Sequence, residues 1–219
     1  MSLTKKERVH KAFLALSAAV IMFGLYLGLT GRGQIHLLPG IAGSGPIHFR
    51  ALLTFTYQSN LLLAVVFLIM LALGKGSRIR QYISVTVILA TTFTGIVYNF
   101  LLTPVGGAPM FFSTWVNFST HVLAMALALI NYFAFEEKGL LKRRHIMWGM
   151  VFPGAYWAVF VTIGERINFH PYFFMNPGEA GWPTVLLWFA GLICAFASQG
   201  FLLLLYDRRR GRARGGFAK

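Results

Sequence analysis

One cysteine and six acidic residues are all that this chain has of two groups on which soluble proteins lean, and charged side chains make up only 12% of it. The lone Cys194 lies inside an apolar run and has no partner in the sequence, which excludes intramolecular disulfides and cysteine-rich zinc sites. Charge this scarce, beside a hydrophobic share of 57%, excludes an ordinary soluble domain, which carries about 25% charged and about 45–50% apolar residues. Walker loops, GxGxxG and internal repeats are also missing, so nucleotide chemistry and solenoid architectures have no support.

What is present is apolar sequence in lengths that fit a bilayer. Six stretches lie between polar breaks, at about 12–30, 51–73, 82–103, 115–135, 146–165 and 184–206, each close to the roughly 20 residues a spanning helix needs. Runs such as LLLAVVFLIMLAL are apolar on every side rather than alternating, so the expectation is an all-α protein, not a β-barrel. The first stretch follows a basic segment but lacks a small-x-small cleavage site and reads as a retained helix. With little chain left over, residues 1–219 are expected to form a single integral membrane domain, a six-helix bundle.

The net charge of +14 is placed by topology. Lys5, Lys6, Arg8 and Lys11 precede the first stretch, Lys75, Arg78 and Arg80 lie between the second and third, and Lys138, Lys142, Arg143 and Arg144 lie between the fourth and fifth. Arg208, Arg209, Arg210, Arg212, Arg214 and Lys219 follow the sixth, and only Arg32, Arg50 and Arg166 fall on the opposite side. Basic residues near span ends stay cytoplasmic, so both termini are expected there, in a multi-pass cell membrane protein. The basic tail then reads as a topology signal against anionic lipid headgroups, with no nucleic-acid partner.

Orientation assigns a depth to each intramembrane polar residue. The second span carries Thr54, Thr56, Gln58 and Asn60 early, and the fourth carries Asn117, Ser119, Thr120 and His121 early. The third and fifth bring Tyr98, Asn99, Thr162 and Glu165 late, so four helices are expected to converge on one layer toward the outer face. At 1.5 Å per residue, Thr54 and His121 both fall roughly 5–9 Å below the outer boundary. Ionisable groups at such depths usually face a bundle interior or cavity, which makes His121 and Glu165 candidate functional residues, with His170 nearby in the outer connection. The alternatives are ordinary: membrane Thr and Ser often bond back to the preceding turn, and Asn and Gln often glue helices. His36 and His48, with His121 and His170, lack the helical spacing of a zinc site, and no metal or cofactor is expected. One buried histidine gives a haem only one firm ligand. Trp115, Trp157, Trp182 and Trp188 read as interface belt and packing.

Three segments resemble the androgen-induced family of multi-pass membrane threonine hydrolases. F-R-A-L-L-T-F at 49–55 resembles its threonine-bearing segment, and Trp115, Asn117 and His121 form a W-x-N-x-x-x-H similar to its histidine segment. Tyr156-Trp157 followed by His170-Pro171-Tyr172-Phe173 resembles, more loosely, its fifth span and exit. In order and spacing the three cover most of residues 49–175. The resemblance implies hydrolysis of fatty acid esters of hydroxy fatty acids by one Thr and one His, by position Thr54 and His121, with Thr56 open as the alternative nucleophile. Asn117 and Asn60 are candidate oxyanion donors, and Gln58, Thr56, Asn99, Glu165 and His170 candidate substrate contacts. The partners implied are membrane lipids and a lipid ester, and a related acyltransferase is the variant within this class. The reading from a different class is a non-enzymatic small-molecule binder or transporter with an outer-leaflet polar pocket. The stretch after Thr54, T-Y-Q-S-N, departs from the family by its polarity.

Overall fold

The computed structural model describes residues 4–30, 49–73, 78–104 and 113–215. It is helical, with no strand among the described residues. Six helices are long and apolar enough to cross a membrane: α1 (Lys5–Leu29), α2 (Phe55–Ala72), α3 (Arg78–Val97, continued by a π-helical turn at Tyr98–Leu102), α4 (Trp115–Phe135), α5 (Arg143–Ile163) and α6 (Trp182–Gly215). Many of their large apolar side chains face outward, Leu187 with 74% of its surface exposed and Leu202 with 68%. That inversion of the soluble pattern, where contiguous exposed apolar surface stays small, is consistent with a multi-pass membrane protein.

The expected spans recur with shifts at their ends. α1 begins at Lys5, earlier than the apolar run, because Thr4 and Glu7 form a capping box: the Glu7 amide donates to Thr4 Oγ1 at 3.3 Å and the Thr4 amide to Glu7 Oε2 at 2.9 Å. α2 begins later than its run because Phe49–Leu53 is a 3₁₀ turn and Thr54 is the N-cap. α6 continues beyond its run into the arginine-rich segment. His36, His48 and the connection at 31–48 lie outside the described residues, as do 216–219 of the tail.

The chain divides into two compact units, Met1–Glu136 and Glu137–Lys219. In the first, α1 packs on α2, α2 on α3, and α3 on α4. Leu14, Leu63, Phe67, Met70, Ile88 and Leu89 are almost fully buried. Gly24 and Gly28, one turn apart on α1, make the close approach: a Cβ at Gly24 would collide with Ser119 and one at Gly28 with the Tyr57 hydroxyl. This is the small-x-x-x-small device of membrane helices, in which a missing side chain lets a neighbouring helix approach.

The second unit pairs α5 with α6, and its tie is polar. Asp207, 0% exposed, accepts the backbone amides of Gly139 and Leu141, each at 2.9 Å. Gly139 adopts a left-handed φ of 88° that favours glycine and lies backbone to backbone against Gly211.

Candidate functional site

The polar residues of α2, α3 and α4 meet at one end of the first unit, because α2 and α4 contribute their first turns and α3, running antiparallel, its last. His121 is 4% exposed and sits in the middle of a π-helical turn, Ser119–Leu123, where the Ala124 amide bonds to the Ser119 carbonyl five residues back. Such single-turn π segments are rare in helices and frequent at functional sites. They insert one residue, so every later side chain is turned by about 100° relative to a regular helix.

The histidine ring is held on one face by a ring and at Nδ1 by hydrogen bonds. Tyr98 stacks on it, with ring centroids 3.4 Å apart and planes 16° apart. Nδ1 lies 3.1 Å from the Asn117 carbonyl oxygen and 3.1 Å from Thr120 Oγ1. A carbonyl only accepts, and the Thr120 hydroxyl gives its proton to the Val116 carbonyl at 2.8 Å, so the proton of a neutral imidazole belongs on Nδ1. Nε2 is left as an acceptor. It faces Thr56 Oγ1 at 3.4 Å, both residues being buried. That distance exceeds an ordinary hydrogen bond.

Thr54 is placed differently from the role the resemblance gives it. As N-cap of α2 its hydroxyl donates to the Ala51 carbonyl at 2.7 Å and accepts the Tyr57 amide at 3.4 Å, so its proton and a lone pair serve the helix start. Thr56, two residues on and inside the helix, is the threonine whose hydroxyl faces His121 Nε2. Only the tertiary register separates the two.

The amide side chains divide in the same way. Asn60, 1% exposed, donates from Nδ2 to the Thr56 carbonyl at 2.8 Å and to the Thr120 carbonyl at 3.0 Å, which uses both of its N–H groups. It therefore has no donor left for an oxyanion, and its Oδ1 is buried without a hydrogen-bond partner. Asn117 donates to Ser113 Oγ at 3.0 Å and is half-buried. Asn99 donates back to the Gly95 carbonyl at 2.7 Å, with its Oδ1 buried and unpartnered. Ser59 and Thr94 join α2 to α3 through hydroxyls 2.9 Å apart, and Gln58 is half-buried. Gly95 makes the α3–α4 crossing possible, since a Cβ there would stand 2.7 Å from the His121 carbonyl oxygen.

Glu165 and His170 belong to the second unit. Glu165 is exposed in the turn after α5, and His170 is half-buried with its ring packed on Gly164. Thr162 bonds back to the Ala158 carbonyl at 2.7 Å, and Trp157 stacks on Phe189 at 4.2 Å. Both have the ordinary roles the sequence allows them. Asn168, Phe169, His170, Tyr172, Asn176 and Glu179 line a cavity of about 310 Å³ in this unit.

A second polar cluster, at the opposite end of the first unit, went unread in the sequence. Arg80, 3% exposed, donates to Glu136 Oε1 at 2.7 Å and to the Met70 and Leu73 carbonyls at 3.1 and 3.4 Å, closing the end of α2. His10 Nε2 lies 2.9 Å from Asn131 Oδ1 and 4.0 Å from Glu136 Oε1, with its ring stacked on Phe135. A further π-helical turn, Asn131–Phe135, carries the α4 side of this cluster. The available signal was an acidic residue closing an apolar run opposite a basic one opening another. No group of three or more His, Cys, Asp or Glu residues suited to a metal is found among the described residues. No family model, curated protein or solved structure matches the chain.

Proposed function

We propose that the Thr56–His121 pair is the reactive centre of an intramembrane hydrolase of lipid esters, with an acyltransferase as the variant in which an alcohol replaces water. The carrying observation is Thr56 Oγ1 facing His121 Nε2 at 3.4 Å while Nδ1 is held by the Asn117 carbonyl. A threonine hydroxyl is a weak nucleophile until a base takes its proton, and the Nδ1–H tautomer presents that base. In this reading Thr56 Oγ attacks the ester carbonyl as its proton passes to Nε2. The tetrahedral intermediate collapses, the C–O bond to the alcohol breaks, and the alcohol leaves with that proton. Water then attacks the acyl-threonine, giving a proton to Nε2, and the acid departs as Thr56 recovers its hydroxyl proton. The oxyanion would take the N–H that Asn117 does not spend on Ser113. The resemblance to membrane threonine hydrolases supports the same chemistry. The charge asymmetry supports cytoplasmic termini and a pair lying toward the outer leaflet, where an ester linkage sits.

One observation favours a different reading, a non-enzymatic binder: Asn60 Oδ1 and Asn99 Oδ1 are buried acceptors without partners, which suits a ligand bearing hydroxyl or N–H donors. Labelling with a lipophilic fluorophosphonate, which reacts with activated hydroxyls, separates the readings. Wild type and Thr54→Ala label, whereas Thr56→Ala and His121→Ala do not. Labelling lost in Thr54→Ala and kept in Thr56→Ala would move the nucleophile to Thr54. Folded wild type that never labels leaves the binder.

A further inference from the structure

The 3.4 Å contact between Thr56 and His121 is too long to fix its own geometry, so something else sets the register between α2 and the turn that carries the histidine. In a regular α-helix the Thr120 carbonyl would accept the amide of residue 124. The π-helical turn hands that amide to Ser119 instead, which releases the Thr120 carbonyl beside the histidine. In a membrane interior no water takes up such a group, and it needs a donor from the protein. Asn60 supplies it at 3.0 Å, and the second N–H of the same planar amide holds the Thr56 carbonyl at 2.8 Å. One side chain thus ties the backbone of the threonine to the backbone of the residue preceding the histidine.

We propose that Asn60 is a positioning residue, which pins the released Thr120 carbonyl to Thr56 and thereby keeps Thr56 Oγ1 opposite His121 Nε2. This role rests on the Thr–His reading, and it replaces the oxyanion role that the spent N–H groups deny to Asn60. Without the amide, the turn recovers its carbonyl by reverting to regular helix. One residue of rotation, about 100°, carries the imidazole off Thr56 and off the Tyr98 ring. A residue that merely glued helices would cost stability and leave the histidine where it is.

The test uses the full chain in lipid nanodiscs, with Asn60→Leu, nearly equal in shape, and Asn60→Ala. Asn60→Asp, equal in size and offering at most one donor, is read in the same way if the others do not fold. Two quantities are measured on folded protein: the rate of fluorophosphonate labelling, and the ¹⁵N signals of the His121 imidazole, assigned by their disappearance in His121→Gln. Wild type is expected to show one neutral tautomer protonated at Nδ1. The folded variant is expected to lose labelling as His121→Ala does, because an imidazole turned by about 100° no longer reaches Thr56, with His121 signals moved or divided between tautomers. Labelling and imidazole signals that match wild type overturn the proposal. If wild type itself does not label, the hydrolase reading fails and the imidazole signals alone decide: altered signals in the variant sustain the positioning role, and unchanged signals end it.

Discussion

The two ends of the first unit each place a buried histidine beside a π-helical turn of α4, yet they are built to opposite rules. Around Arg80, Glu136, His10 and Asn131 a basic and an acidic side chain are paired, and the two closest side-chain contacts are short, with Arg80 to Glu136 at 2.7 Å and His10 to Asn131 at 2.9 Å. Around Thr56, His121, Tyr98 and Asn60 nothing carries a permanent charge, the supporting bonds are short, and the one long contact is the hydroxyl on the imidazole. A buried charge must be coordinated, and once coordinated it is committed to holding helices together. A neutral pair can be left slack at one contact if its surroundings are tight. The difference separates a clasp from the proposed Thr–His site.

The sharpest way to break the comparison is to unpair the clasp. Glu136→Ala leaves Arg80 buried without its carboxylate and should cost about 3–5 kcal/mol in reversible unfolding from bicelles, while folded molecules keep fluorophosphonate labelling. Replacing both partners, Arg80→Met with Glu136→Leu, should recover most of that loss, since a well-packed apolar pair often replaces an ionic one at little cost. Continued instability in the double variant would show that the Arg80 bonds to the Met70 and Leu73 carbonyls carry the effect. Asp207→Ala extends the comparison to the second unit: two backbone amides lose a buried carboxylate, and unfolding should be easier by roughly 2–3 kcal/mol. Thr54→Ala removes an N-cap and should cost about 1 kcal/mol without loss of labelling. Thr56→Val should be the mildest in stability, about 0.6 kcal/mol, and still abolish labelling. Stability and labelling falling together in Glu136→Ala and in Thr56→Val would erase the distinction between clasp and site.

The level of the polar residues was legible, because depth along a helix follows from counting at a fixed rise, and Thr56, Asn60, Tyr98 and His121 do come together. The pairing within that level was not. The L-T-F context pointed to Thr54, but the chain starts α2 one residue later and spends that hydroxyl as a cap, so the face presented to α4 begins with Thr56. Asn60 read as a donor for substrate because an amide in a polar layer looks available. Its two N–H groups are claimed by carbonyls, one of which is released only by a π-helical turn that composition does not mark. Gly24 and Gly28 did carry a readable signal, a small-x-x-x-small spacing inside an apolar run.

The sequence by itself determined that the chain is helical and apolar enough to cross a membrane six times, since length, hydropathy and the scarcity of charge are local properties that no packing alters. It also set how far along each helix a polar group lies. Tertiary structure alone decided which groups face each other: Arg80 with Glu136, Asp207 with the amides of Gly139 and Leu141, Thr56 with His121. Facing is an angular property: a single residue added by a π-helical turn rotates everything after it by about 100°, and where a helix begins decides which of two nearby threonines it presents.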